Sequence, residues 1–293
     1  MDSIQCYNTK LIDYGNGNKQ IITYQRPIPL DTKKEKEIPV TPALLDSVAI
    51  EKKALHSLFT SCNRSRNEVF KLARANEWEW FITLTFNRKM VTDRTDYDLI
   101  LERLRKWFNN LKQRKASNMK YLLIPEQHKK FEENGLRAWH FHGLLMDCPE
   151  LHFDLLDNIK YAKKSNTPVY SIREYKLGFN TATAVKNNEA VTRYISKYIT
   201  KSLVNQTKGK RRYIASNNCS KPKEYRYFVQ DVCDLTDMSV PLDNDVYLND
   251  LVDFEKCVWH KEKKIECEDF QNVYTYYEFK EEFTPILRNG QIN

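Results

Sequence analysis

The chain has 293 residues, of which 41% are hydrophobic, and a formal net charge of +8. A chain of this length can bury a core without disulfides, and its seven cysteines are odd in number and include no C-x-x-C pair, so we expect free thiols. No apolar run reaches the roughly 18 residues of a membrane-spanning helix, and the N-terminus lacks the apolar core of a signal peptide. Composition therefore excludes disulfide-rich secreted and membrane-spanning classes and predicts a cytoplasmic protein.

The charge is unevenly distributed along the chain. Residues 231–293 hold 15 acidic and 6 basic residues, which leaves 24 acidic and 41 basic residues for 1–230. The stretch 186–227 contains eleven Lys or Arg residues, two acids and five interleaved tyrosines. Because basic groups contact phosphates and aromatic rings stack on bases, this stretch is typical of a protein that binds single-stranded nucleic acid.

Four segments follow one another along the chain. Residues 1–43 are polar and include RPIPLDTKKEKEIPVTP, which is typical of an extended arm or linker. Apolar residues recur at helical spacing over 44–75 and predict a helical lead-in to the main domain. We expect residues 76–230 to form that domain, with its basic segment, and 231–293 to form an acidic C-terminal extension.

The main domain combines apolar strands with amphipathic helices. WEWFITLTFN predicts a buried central strand, and DYDLILERLRKWFNNLKQRK predicts a helix with an apolar stripe. KYLLIPEQH and AWHFHGLLM flank the turn signal Asn134-Gly135 and predict a β-hairpin. A shorter strand is expected near PVYSIREYKLG, and NNEAVTRYISKYITKSLV predicts a second large helix. This pattern predicts an α+β fold with a mostly antiparallel central sheet flanked by helices.

Two histidines stand one residue apart in the apolar run RAWHFHGLLM. On a strand, His140 and His142 share one face, where two imidazoles can bind a divalent ion or simply face solvent. Glu126, on the strand paired with them through the hairpin, is the candidate third ligand. The loop does not define the register, so Gln127 and His128 compete for that position, with Gln127 on the opposite face.

Two tyrosines lie four residues apart in RYISKYITK. On a helix Tyr194 and Tyr198 share a face, and each is followed three residues later by a lysine, Lys197 or Lys201. A tyrosine can attack a phosphate and form a covalent phosphotyrosine, and a lysine can offset charge on the leaving oxygen. The alternative is that both tyrosines belong to the core of an amphipathic helix.

In this order, WFITLTF, WHFHGLL and YISKYITK resemble the three motifs of rolling-circle replication initiators in the HUH endonuclease superfamily, especially the two-tyrosine type of single-stranded DNA phages and plasmids. The resemblance covers residues 76–202 and implies an RRM-like sheet. It also implies a metal, Mg²⁺ or Mn²⁺, on the histidines and Glu126, with the two tyrosines as nucleophiles accompanied by the two lysines.

The function implied by the resemblance is the nicking of one strand at a replication origin. The products are a 5′-phosphotyrosine link and a free 3′-hydroxyl, and the displaced strand is later rejoined. The chain contains no phosphate-loop motif, so unwinding is expected from a host helicase, and synthesis from a host polymerase. The expected DNA-binding groups are Thr83, Thr85, Lys208, Lys210, Arg211 and Arg212.

Two alternatives stay open. A relaxase or transposase of the same superfamily would share the chemistry and differ in its DNA target. A non-catalytic module that binds single-stranded nucleic acid would bind without a covalent adduct.

Overall fold

Two antiparallel sheets and the helices packed on them make up the α+β fold that the sequence predicts. The computed structural model describes residues 6–30, 47–156, 167–232, 246–267, 270–280 and 291–292. In chain order the elements are β1 (Cys6–Asp13), β2 (Lys19–Pro29), α1 (Ser47–Arg74), β3 (Trp80–Leu84), α2 (Tyr97–Arg114), β4 (Lys120–Phe131), β5 (Arg137–Met146), β6 (Phe153–Leu155), β7 (Tyr170–Ile172), β8 (Asn180–Ala184), α3 (Asn188–Ser196), α4 (Lys201–Gln206), β9 (Ile214–Ala215), β10 (Lys223–Tyr227), α5 (Leu248–Leu251), a 3₁₀ turn (Phe254–Lys256), β11 (Cys257–Cys267), β12 (Phe270–Phe279) and β13 (Gln291–Ile292).

The first compact unit joins the two ends of the chain, residues 1–45 and 221–293. Its sheet has the strand order β11-β12-β2-β1-β10-β13, and every pair is antiparallel. One face buries a core that includes Leu11, Ile21 and Phe279. Alternating apolar residues in β1, β2 and β12 supply this buried face.

This unit corrects the expected segment boundaries at both ends. Residues 6–13 and 19–29 are strands rather than an extended arm, and the acidic segment 231–293 contributes the hairpin β11–β12 to the same sheet. The reason is long-range pairing, since β1 pairs with β10 and β2 with β12. The rest of the expected arm, 31–43, falls outside the described residues.

The second compact unit, residues 46–220, holds a seven-stranded sheet in the order β6-β7-β8-β3-β5-β4-β9. The predicted hairpin is β4–β5, and β3 is central as predicted, between β5 and β8. The sequence missed β8. The expected helical lead-in is the single helix α1.

Helix α2 packs on the sheet face opposite the two histidines. The Asp96 side chain caps its first turn by accepting hydrogen bonds from the backbone N–H groups of Asp98 and Leu99. Its buried stripe includes Phe108, whose ring stacks on Tyr121 of β4 with 4.0 Å between centroids. This packing leaves the histidine face to α3 and the residues after it.

The predicted second large helix is two helices. Helix α3 ends at Ser196, because the next three residues form i to i+3 hydrogen bonds, and α4 begins at Lys201 behind a Thr200 cap. The apolar positions Ile195 and Ile199 keep helical spacing across the break, so periodicity does not reveal it.

Among the residues that the structure describes, no helix is both long enough and apolar enough to span a membrane.

Candidate metal and tyrosine site

The pairing of β4 with β5 brings one carboxylate and two imidazoles to the same face of the sheet. Glu126 lies directly opposite His140, and His142 is two residues further along β5. Gln127 lies opposite Trp139 and therefore points to the other face. The register thus favours Glu126 over Gln127, a choice that the sequence left open.

The three side chains converge on one point. His140 Nε2 and His142 Nε2 are 3.0 Å apart, and Glu126 Oε2 lies 3.2 Å and 2.8 Å from them, respectively. An octahedral ion at about 2.1 Å from its ligands holds adjacent ligand atoms about 3.0 Å apart, and a tetrahedral ion at that distance holds them about 3.4 Å apart. The spacing therefore fits one face of an octahedral divalent ion.

The protonation states also suit a cation. Hydrogen bonds from His140 and His142 lower the pKa of Glu126 to about 2, so this group is a carboxylate at neutral pH. Burial lowers the pKa of His142, and its hydrogen bond to Glu126 only partly opposes this effect, so its imidazole is mainly neutral. A carboxylate and a neutral imidazole are ligand forms that need not lose a proton to bind a metal.

Thr83 and His128 support the two imidazoles from either side. The Thr83 hydroxyl on β3 is 3.2 Å from His142 Nδ1, which leaves Nε2 of that ring pointing at Glu126. The ring of His128 stacks on His140 with 4.3 Å between centroids. Thr83, expected to contact DNA, therefore has a partner within the protein, and His128, a competing ligand in the sequence, packs beside the cluster.

Both tyrosines reach this face. The ring of Tyr198 stacks on His142 with 4.0 Å between centroids, and its hydroxyl donates to the Tyr194 oxygen over 2.9 Å. Burial first, and then this hydrogen bond, raise the pKa of Tyr198 well above its usual value. Tyr194 is 47% exposed. The pair thus combines an accessible phenol with a half-buried one that donates to it.

Helix α1 clamps the chain immediately after Tyr198. Arg66 Nη2 donates to the carbonyl oxygen of Ile199 over 2.8 Å, and Cys62 Sγ donates to the same oxygen over 3.6 Å. The clamp stabilises the break between α3 and α4. Because of it the two tyrosyl oxygens meet even though the residues are not on one continuous helix.

The two lysines differ in position. Lys197 is exposed in the turn that follows Tyr194. Lys201 begins α4, and its ammonium lies over the ring of Phe59 on α1, 4.8 Å from the centroid. The predicted equivalence of these lysines is therefore not seen in the structure, because the helix break turns the second one toward α1.

The expected DNA-binding residues of the basic segment and Thr85 divide into two groups. Lys208 and Arg211 are exposed. Intramolecular contacts engage the other three. The Thr85 hydroxyl donates to the Phe179 carbonyl oxygen over 2.6 Å, Lys210 pairs with Asp98 at 2.7 Å, and Arg212 Nη1 donates to Ser65 Oγ over 2.8 Å.

Sequence reasoning missed Phe81. Its ring lies 5.3 Å from the Tyr194 ring and 6.0 Å from the His142 ring, between centroids, and so contacts both halves of the site. Period-two alternation in WFITLTF already places Phe81 on the face of Thr83, which is the signal that could have identified it.

Comparisons with known proteins give one match. No curated protein and no solved structure matches the chain. Residues 79–203, less than half of the chain, match the family model of the replication-associated protein ORF2. This stretch includes the Glu126, His140 and His142 cluster and both tyrosines, so the part of the chain that builds the site is similar to that replication-associated family.

Proposed function

We propose that the chain is a rolling-circle replication initiator that nicks one DNA strand at an origin through tyrosine attack. Two tyrosyl oxygens lie 2.9 Å apart, and one of the tyrosine rings stacks on a histidine of the carboxylate and imidazole cluster. This juxtaposition carries the proposal, because nucleophile and charge-binding groups are needed at the same phosphate. The match to a replication-associated family supports the biological role.

In the proposed step, a tyrosyl oxygen forms a new bond to phosphorus while the bond from phosphorus to the 3′ oxygen breaks. The phenol loses its proton, and the leaving oxygen takes one up to become a 3′-hydroxyl. The energy of the broken bond stays in the phosphotyrosine, so the reverse attack by a 3′-hydroxyl can rejoin the strand.

Each residue has a defined part in this step. Glu126, His140 and His142 would hold a divalent ion, Mg²⁺ or Mn²⁺, which supplies Lewis-acid stabilisation of the phosphate oxygens. Tyr194 is the more exposed phenol and accepts the hydrogen bond of Tyr198, which favours it as the initiating nucleophile. Tyr198 would then serve the second cleavage.

A random-sequence library tests the proposal without a known origin sequence. The full chain is incubated with single-stranded DNA of random sequence and Mn²⁺, denatured, and stripped of non-covalent DNA. We expect retained DNA that shares one cleavage sequence and maps to a tyrosine by peptide mass. Binding of the library without any retained DNA would instead indicate the non-catalytic module, and an adduct on another residue would reject the tyrosine assignment.

A further inference from the structure

One row of the sheet continues from the metal cluster toward β8. Glu126 and His140 pair directly, and the next two members of the row follow from the neighbouring pairs, in which Leu84 lies opposite both Phe141 and Asn180. The backbone N–H of Thr85 donates to the carbonyl oxygen of Phe179 over 2.9 Å, which extends the β3–β8 ladder by one residue pair. The row therefore reads Glu126, His140, Thr85, Phe179.

Alternation places Phe179 on the face of the site. Thr181 lies opposite Thr83, whose hydroxyl contacts His142, and Phe179 is two residues from Thr181 along the same strand. Neighbouring strands are about 4.8 Å apart, so the backbone of Phe179 lies roughly 10 Å from that of His140. This separation suits a nucleotide next to a phosphate held by the cluster.

Gly178 makes this position possible. A Cβ atom at residue 178 would lie 2.3 Å from the Thr85 carbonyl oxygen and 2.7 Å from the Phe86 Cα atom. Only glycine permits such a close approach of the two backbones, which brings residue 179 into the row. The sequence Gly-Phe therefore sets an aromatic ring at the edge of the site.

The ring of Phe179 is available to a ligand. The side chain is 56% exposed, on a face whose other nearby groups are the hydroxyls of Thr181 and Thr183, both partly exposed. An exposed ring beside hydroxyl groups is the combination that stacks on a base while the sugar and phosphate accept or donate hydrogen bonds.

We propose that Phe179 is a base-stacking platform for single-stranded DNA, and that it holds the base of a nucleotide adjacent to the phosphate at the Glu126, His140 and His142 cluster. This inference rests on the proposed function in that it takes single-stranded DNA as the ligand. It adds a binding residue outside the three motifs and predicts that the contact depends on the base rather than on the phosphate.

The test compares a homothymidine oligonucleotide with an abasic oligonucleotide of the same length, both in EDTA so that no cleavage occurs. Stacking on one aromatic residue corresponds to about a 5- to 100-fold change in affinity. We expect Phe179→Ala to weaken binding of the thymidine oligonucleotide by that factor and to leave the abasic oligonucleotide unaffected. Phe179→Trp should retain or improve thymidine binding.

Phe131→Ala is the matched control. Phe131 is 65% exposed, but it lies at the end of β4 and the Arg137 guanidinium covers its ring at 4.5 Å. We expect its removal to change binding of neither oligonucleotide. Thermal unfolding of each variant checks the fold.

The outcomes separate this inference from the proposed function. Base-dependent weakening in Phe179→Ala without any adduct on the wild-type chain would support the platform and reject nicking. An adduct on the wild type with unchanged thymidine affinity in Phe179→Ala would overturn the platform alone. An equal weakening for both oligonucleotides would also overturn it, since the contact would then be to the backbone.

Discussion

The hydroxyl of Thr83 on β3 contacts Nδ1 of His142 on β5 over 3.2 Å, and this contact orients the histidine toward Glu126. Hydrogen bonds of this kind tune metal ligands, and their removal typically lowers metal affinity about 10- to 100-fold. We expect Thr83→Val to weaken Mn²⁺ binding by that factor, as measured by titration calorimetry without DNA.

Thr183→Val is the control for Thr83→Val, because Thr183 lies on the same face and its hydroxyl contacts the Phe81 carbonyl oxygen. It should bind Mn²⁺ normally. If Thr83→Val instead weakens DNA binding and leaves Mn²⁺ affinity unchanged, the DNA-binding role predicted from the sequence is correct.

Replacing both His140 and His142 by Ala removes two of the three converging ligand atoms. We expect the double variant to lose Mn²⁺ binding and adduct formation, while it keeps most of its affinity for single-stranded DNA, which depends mainly on phosphate contacts. Gln127→Ala, on the opposite face of β4, should retain all three properties. Normal adduct formation by the double variant would disprove the metal assignment.

The tyrosine pair predicts a division of labour. Tyr194→Phe and Tyr198→Phe keep the ring packing and remove one nucleophile each. We expect Tyr194→Phe to cause the larger decrease of initial adduct, since Tyr194 is the exposed member, and only the double variant to eliminate the adduct altogether. Peptide mapping of DNA-linked protein measures both effects. Equal decreases in the two single variants would mean that they act as one unit.

The basic segment predicts two different phenotypes. Exchanging exposed Lys208 and Arg211 for Gln should weaken DNA binding and reduce the slope of log affinity against log salt by about 0.7 for each phosphate that the protein no longer neutralises. Arg212→Gln should instead lower the free energy of unfolding by about 1–3 kcal/mol, because it breaks the hydrogen bonds to Ser61 and Ser65. Lys210→Gln, whose partner is Asp98, serves as the charge-matched control for binding. A salt slope unchanged in the first variant would show that these two groups do not contact phosphate.

Glu174 gives a pH-dependent contribution to stability. Burial alone would raise its pKa, but hydrogen bonds from His152 and Lys115 outweigh burial and lower the pKa to about 2. A carboxyl whose pKa is lower in the folded state stabilises the fold above its unfolded pKa of about 4.3, and this stabilisation disappears as the pH falls toward 2. We expect Glu174→Gln to cost about 1–2 kcal/mol at pH 7 and less at pH 3, measured by urea unfolding. A difference that is constant with pH would contradict this assignment.

The sequence predicted local features better than long-range ones. The hairpin β4–β5 and the capped helix α2 follow from turn residues and periodicity that lie within each segment. The strands β1 and β2 were missed because their partners β10 and β12 are about 200 or more residues away, and local polarity suggested an arm. Pairing across such a distance leaves no local signal.

The site residues show the same limit. Sequence spacing identified the histidine and tyrosine pairs, and the pairing of β4 with β5 resolved the choice between Glu126 and Gln127. The different surroundings of Lys197 and Lys201 depend on the break between α3 and α4. That break involves a hydrogen bond from Arg66 to Ile199, a contact between distant residues that periodicity cannot reveal.

The hydrogen bond between Arg66 and Ile199 spans 133 residues of sequence and starts outside the stretch that matches the replication-associated family. Motif spacing within residues 79–203 is therefore insufficient to set the geometry of the tyrosines. A fragment limited to that stretch would lack α1, and we expect its tyrosyl oxygens to separate. The smallest fragment able to carry out the proposed reaction must begin no later than the helix that precedes the motifs.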